Sequence, residues 1–199
     1  MTQARIPESM VEIAFAQPGG PEVLQPRSVP VPVAGTGEIL VRVAAAGVNR
    51  ADVLQREGKY PLPPDVNPTL GLEISGTVAA VGDEVLSVGV GEAVCALTNG
   101  GGYAEYCVVP AGQALPIPAG LSRIEAAAIP ETYFTVWANL FDIAHAAAGD
   151  TVLVHGGSSG IGITTIVLCK ELGINVIATA GSSDKCDAVR ELGAHAVNY

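Results

Sequence analysis

The sequence reads as an α/β plus β chain in two parts. A small all-β barrel or sandwich comes first, and one half of a doubly wound parallel sheet follows. Two changes of texture carry that expectation. Up to about residue 110, short apolar stretches alternate with Gly and Pro. From residue 151 the order becomes strand, helix, strand, helix, strand, which is one mononucleotide-binding half. A glycine-rich loop sits between the first of these strands and its helix, where α/β sheets place their ligand loops.

Residues 1–9 read as a leader. Residues 11–15 form a strand, followed by a turn at Pro18-Gly19-Gly20-Pro21. Residues 38–43 alternate charged and apolar side chains, the mark of a half-buried strand. Residues 75–81, 93–97 and 103–109 supply further short strands. Ser122 with Glu125 three places on makes a capping box for a short helix, which Pro130 interrupts. Residues 131–147 then read as one long helix. The stretch 151–155 is apolar throughout and suits burial on both faces of a parallel sheet. Helices over 161–172 and 184–192, each stopped by Gly, alternate with strands at 174–180 and 195–199. The expected boundaries are a leader at 1–9, a β domain at 10–130 and half of a nucleotide-binding domain at 131–199. The second half of such a sheet is absent, so either the natural chain stops there or it is a piece of something longer.

The chain has 199 residues, 20 acidic against 10 basic, and a net charge of −10. That balance repels nucleic acid and anionic lipid alike. Residues 1–10 hold no apolar core of a secretory signal, and no apolar stretch is long enough to span a bilayer. The expected compartment is the cytoplasm. The four cysteines and three histidines form no C-x-x-C or H-x-x-x-H pair. They read as small core residues rather than metal ligands, and no metal is expected.

The chemical signal is Gly156-Gly157-Ser158-Ser159-Gly160-Ile161-Gly162. Glycines let the backbone turn sharply and approach a phosphate, and the amides and dipole of the following helix favour the anion. The spacing is G-x-x-G-x-G, not the commoner G-x-G-x-x-G, so its context carries the reading. The same residues also fit G-x-S-x-G, a nucleophile elbow, with His195 the one later histidine. The second strand runs into Ala180-Gly181-Ser182-Ser183 without the acid that binds an NAD ribose. Lys185 follows and suits a 2′-phosphate, or else a solvated helix surface. Asp184 is open to two readings, a helix cap or a displaced ribose ligand. NADPH is the expected cofactor.

Several ordered motifs extend the match. They are Gly19-Gly20-Pro21-Glu22-Val23-Leu24, Gly37-Glu38-Ile39-Leu40-Val41-Arg42-Val43 and Gly47-Val48-Asn49-Arg50-Ala51-Asp52. Gly71-Leu72-Glu73-Ile74-Ser75-Gly76, Gly101-Gly102-Tyr103-Ala104-Glu105-Tyr106 and Ala126-Ala127-Ala128-Ile129-Pro130-Glu131 continue it. Together they resemble the zinc-free quinone oxidoreductases of the medium-chain dehydrogenase/reductase family, above all the p53-inducible subgroup. The resemblance implies a GroES-like barrel followed by a Rossmann domain, here cut within that second domain. Zinc-dependent relatives carry a Cys near Asn49 and a His where Leu72 stands; both are missing, as is a four-cysteine lobe.

The resemblance also implies roles. Asn49 and Tyr60 would line the pocket where nicotinamide meets its acceptor, Asn49 donating to a carbonyl and Tyr60 donating or stacking. By themselves these residues read rather as a turn cap and a surface Tyr. Asp52 would only orient its neighbours. Thr135 and Gly156, Gly157, Ser158, Ser159, Gly160, Ile161 and Gly162 would touch the cofactor. Gly181, Ser182, Lys185 and Tyr199 would surround the adenosine phosphate. The implied reaction is hydride transfer from NADPH to a quinone without metal. The alternatives are an enoyl or enone reductase on the same scaffold and a non-enzymatic nucleotide-binding or interaction module. A full-length parent would be a homodimer acting on small quinones or enones.

Overall fold

The computed structural model describes residues 5–62 and 66–199. They separate into two compact units, one ending at Glu131 and the other running from Thr132 to Tyr199.

In the first unit, β1 (Ser9–Ala14) pairs antiparallel with β2 (Gln25–Pro30). Pairing begins at Ser9, the last residue of the expected leader. The sequence reading missed β2. It lacks alternation and carries Pro26 and Pro30, which only an edge strand with unpaired amides accommodates. Strands β3 (Glu38–Ala46), β4 (Glu73–Val81), β5 (Ala93–Leu97), β6 (Tyr106–Pro110) and β7 (Ala114–Pro116) form an antiparallel sheet in the order β6-β3-β4-β5-β7. Alternation explains its core. Ile39 and Val41, Ile74 and Val78, Val94 and Ala96, Cys107 and Val109 all point to one packed cluster. The expected strand 103–109 starts only at Tyr106. Before it, the chain bonds to β1 instead: Ile13 N–H donates to Tyr103 O (2.8 Å) and Glu105 N–H to Val11 O (3.0 Å). A seven-residue helix, α1 (Arg50–Arg56), stands between β3 and β4. The Ser122–Glu125 capping box opens α2 (Arg123–Ala126) as expected.

Helix α3 (Pro130–Val136) starts on Pro130, whose fixed φ and missing N–H suit the first helical position. It does not continue to residue 147. After Val136 it widens into a π-helical stretch, Trp137–Ile143, and ends as His145 takes φ +55°.

The second unit then runs β8 (Thr151–Val154), α4 (Gly160–Glu171), β9 (Asn175–Ala180), α5 (Ser183–Glu191) and β10 (His195–Asn198). The strands are parallel in the order β10-β9-β8, the expected half of a doubly wound sheet. Val176, Ala178 and Ala180 of β9 meet Ile166 and Cys169 of α4, and Cys186 and Val189 of α5. β8 departs from its expected burial on both faces. Val152 and Val154 pack on the core, but Leu153 is 59% exposed because it opens onto an unfilled groove beside Thr135 and Leu140. Among the described residues, no helix is long and apolar enough to cross a membrane.

Candidate functional site

The glycine loop is built from the backbone. Gly157 N–H donates to Thr179 O (2.8 Å) and Gly156 N–H to Thr179 Oγ1 (3.2 Å), which ties the loop to the end of β9. Ser159 caps α4: its Oγ accepts from Gly162 N–H at 3.0 Å. Gly162 has no room for a side chain, since a Cβ there would overlap Gly156 O and lie 2.6 Å from Gly157 Cα. The amides of Ser158, Gly160 and Ile161 take no partner among the described residues. Three donors at the start of a twelve-residue helix are an arrangement that can cradle an anion.

The other expected cofactor residues gather in the same unit. Thr135 and Ile161 line one groove of about 280 Å³ with Val154, His155 and Thr165. Gly181 follows β9 directly, and a Cβ built on it would lie 3.7 Å from the ring of Tyr199. Ser182 caps α5, its Oγ accepting from Lys185 N–H at 3.4 Å. Lys185 is exposed in the first turn and forms no ion pair among the described residues. Ser158 makes no hydrogen bond to a histidine among the described residues. His195 lies at the start of β10, in a groove with Lys170 and Gly193, whereas Ser158 lies past the far end of β8. Among the described residues, no triad is assembled around the elbow-like serine.

In the first unit, Asn49 begins a network of side chains. It caps α1, and its N–H donates to Asp52 Oδ2 at 2.8 Å. Asp52, 3% exposed, also accepts from Gly71 N–H (3.0 Å) and the Tyr103 hydroxyl (3.1 Å). The Asn49 amide donates through Nδ2 to Glu73 Oε1 at 2.9 Å, and Glu131 N–H donates to Glu73 Oε2 at 2.9 Å. Burial pushes the Glu73 carboxyl above its ordinary value; the two hydrogen bonds oppose that and Asp52 adds to it. Burial likewise raises Glu131, reinforced by Glu73 and Asp52. Burial first, then the Asp52 charge, raises the Tyr103 phenol. Glu73, Tyr103 and Glu131 did not stand out as site residues in the sequence. The Asn49-x-x-Asp52 spacing was a readable signal for α1 and its cap.

Against this geometry, known proteins are informative. Residues 35–119 match the model of the alcohol dehydrogenase GroES-like domain. Quinone oxidoreductase of Mus musculus is 39% identical over 181 residues, which cover 90% of this chain and 55% of that protein. The chain is similar to quinone oxidoreductases of the medium-chain dehydrogenase/reductase type. Among solved structures, the human synaptic vesicle membrane protein VAT-1 homolog-like protein superposes with a TM-score of 0.85 at 32% identity. It covers 96% of this chain and 62% of that one. A mycobacterial protein complexed with NADPH gives 0.83 at 33% identity, over 96% and 59%. The chain thus spans a little over half the length of the relatives it matches.

Tyr60 and Asn49 share no hydrogen bond among the described residues. Tyr60 is 41% exposed and lines a groove of about 380 Å³ with Phe15, Arg27, Gln55 and Thr69, and Asn49 is not part of that lining. The floor is polar: Arg27 pairs with Glu12, and Thr69 Oγ1 donates to Glu12 Oε2 at 3.0 Å. All four cysteines are free and buried. Burial raises the thiols of Cys95, Cys107 and Cys169, that of Cys107 to about 12, which keeps them protonated and inert. Among the described residues, no three His, Cys, Asp or Glu side chains are grouped to hold a metal ion.

Proposed function

We propose that this chain is part of an NADPH-dependent, metal-free quinone oxidoreductase. The observation that carries the reading is the cradle of three unpartnered amides, Ser158, Gly160 and Ile161, at the start of α4. The residues fit a phosphorylated dinucleotide. The cradle takes the pyrophosphate. Gly181 leaves a side-chain-free surface beside Tyr199 for the adenosine, and Lys185 offers an ammonium to the 2′-phosphate. When bound, the reduced nicotinamide supplies the hydride. Thr135 and Ile161 bound the groove that guides the cofactor beyond the loop.

In the first unit, Asn49 donates an N–H to the carbonyl oxygen of the acceptor, and Tyr60 stacks or donates from the groove it lines. A quinone oxygen, once reduced, takes its proton from water, so no dedicated general acid is required. The protein's contribution is orientation and exclusion of water. The acidic surface, net −10, suits a cytoplasmic enzyme of small neutral acceptors. The parent is proposed as a homodimer.

The test on the 199-residue chain is calorimetric titration with 2′,5′-ADP and with 5′-AMP, with and without Lys185→Glu. A charged hydrogen bond to phosphate is worth about 1.5–3 kcal/mol. The substitution is expected to weaken 2′,5′-ADP roughly ten- to a hundredfold and leave 5′-AMP unchanged. Equal losses for both ligands would remove Lys185 as the reader of the phosphate. No binding of either would remove the cradle. Turnover by the parent with NADPH, across quinones and enones, decides the acceptor.

A further inference from the structure

We propose that Glu73 is the positioning residue for Asn49: it holds the amide with its NH2 end fixed, so that Asn49 meets the acceptor as a hydrogen-bond donor. The inference rests on the role proposed above for Asn49 and adds what gives that side chain its polarity.

An Asn side chain is a donor on one end and an acceptor on the other, and only its neighbours decide which way it faces. An ionised carboxylate accepts and never donates. Glu73 Oε1 lies 2.9 Å from Asn49 Nδ2, so the NH2 end must face Glu73. One N–H is used there. The Asn49 side chain takes no cap hydrogen bond from α1, and the cap is closed through the Asn49 backbone N–H, which donates to Asp52 Oδ2 at 2.8 Å. The second N–H of Nδ2 is what remains for a ligand.

The carboxylate that imposes this cannot turn away. Glu73 is 3% exposed, and its second oxygen is held by Glu131 N–H at 2.9 Å. Gly47 leaves the space its head occupies, because a Cβ on Gly47 would overlap Glu73 Oε1 and lie 2.5 Å from Cδ. Gly47 N–H also donates to Glu73 O at 3.1 Å, fixing the backbone of the pair. Gly47, Asn49, Glu73 and Glu131 therefore form one device, assembled from the end of β3, the cap of α1, the start of β4 and the first turn of α3.

Protonation would undo it. A proton on Glu73 turns one oxygen into a donor, which can donate to Asn49 Oδ1, and the amide is free to turn over. The groups that face Glu73 are Asp52 from α1, Glu131 from α3, Cys95 from β5 and the Tyr103 phenol. All are acids. No Lys or Arg pairs with Glu73 among the described residues. Nothing cationic holds the proton off, so the release falls above the ordinary carboxyl range.

The readout is the side-chain NH2 resonance pair of Asn49 in ¹H–¹⁵N spectra of the 199-residue chain. At neutral pH the N–H on the carboxylate is expected well downfield of its geminal partner. Acidification is expected to collapse that separation, with a midpoint above the ordinary Glu value. Glu73→Gln keeps the shape but has a single acceptor oxygen for two donors, and it is expected to abolish the pH step. Gly47→Ala leaves the carboxylate in the chain and displaces it, and is expected to shrink the separation at neutral pH. A pH step that survives Glu73→Gln, or an Asn49 pair unchanged in both variants, would overturn the proposal. The pH titration of the unsubstituted chain decides by itself if a variant does not fold. A quinone assay that fails while these spectra behave as expected would remove the acceptor role of Asn49 and leave the positioning by Glu73 standing.

Discussion

The glycine loop after β8 and the carboxylate network under Asn49 both hold polar groups in place, by opposite means. The loop uses main chain. Its ties are local or one strand away, and its unpaired donors come free from the start of α4. The network uses side chains from far apart in the sequence. Asn49 reaches Glu73 across 24 residues, Asp52 reaches Tyr103 across 51, and Glu131 reaches Glu73 across 58. A backbone cradle tolerates changes of side chain but no added Cβ at its tight point. A side-chain network tolerates neither loss nor neutralisation of its acceptors. Substitution at each place gives this contrast a measurable form.

The largest expected effect is Asp52→Ala. It strips the acceptor from the Asn49 and Gly71 amides and the Tyr103 hydroxyl together. Each buried donor left unsatisfied costs about 1–3 kcal/mol, so a loss of about 3–5 kcal/mol is expected in urea unfolding. Asp52→Asn keeps one carbonyl acceptor and is expected to recover part of it. A loss under about 1 kcal/mol for the alanine would mean that water replaces the carboxylate, and the network would no longer differ from a surface cluster.

Next comes Gly162→Ala. Alanine in a helix gains up to about 1 kcal/mol over glycine. Here the new Cβ meets the backbone of Gly156 and Gly157, and overpacking against main chain costs about 1–3 kcal/mol. The clash is expected to win by about 1–2 kcal/mol in thermal or urea unfolding, and to abolish binding of 2′,5′-ADP as the loop shifts. A more stable variant that still binds would show that the loop is softer than its contacts imply.

The same contrast explains what the sequence disclosed. Strands β3, β4, β8 and β9 and helices α4 and α5 announce themselves through alternation in β3, short apolar runs and glycine stops, all of it local. The position of the glycine loop between β8 and α4 was legible for the same reason. β2 was not, because an edge strand with two prolines has no buried face to pattern. β7, at three residues, is too short for a period. The long helix expected over residues 131–147 breaks at Trp137 into a π-helical stretch, and no residue type marks that widening. Within the site, Asn49 and Asp52 were visible through one motif. Glu73 looked like an ordinary strand residue, and Glu131 like a helix-start acid. Only the fold brings them together.

A smaller effect lies in pH. Burial raises the Glu73 and Glu131 carboxyls in the folded chain above their unfolded values. The folded state then holds more protons, so this contribution is full below the unfolded value and is lost as pH rises through the raised one. Unfolding free energy is expected to fall with rising pH just above the ordinary Glu range. One proton sets a ceiling of about 1.4 kcal/mol per pH unit, and Glu131, partly open to solvent, adds less than Glu73. Glu73→Gln is expected to flatten the slope. A slope of opposite sign would mean that the hydrogen bonds from Asn49 and Glu131 outweigh desolvation.

The smallest expected change in stability is at Gly181, and it separates two kinds of glycine. Gly162 is needed because the fold occupies its Cβ position. Gly181 is not: its Cβ would meet Tyr199 at 3.7 Å, an ordinary contact, and its φ lies outside the left-handed region. Gly181→Ala is therefore expected to change unfolding free energy by less than about 0.5 kcal/mol, the usual range for surface positions. If the glycine is there so that adenosine can approach the end of β9, the added methyl group projects into the ligand's space. Affinity for 2′,5′-ADP and 5′-AMP would then fall together by a similar factor, since the methyl obstructs the shared adenosine and leaves the 2′-phosphate contact alone. Lys185→Glu is expected to do the reverse, sparing 5′-AMP. Unchanged affinity for both ligands in Gly181→Ala would mean that the adenosine lies elsewhere, and the gathering of Gly181 and Tyr199 would be a packing contact at the end of the sheet.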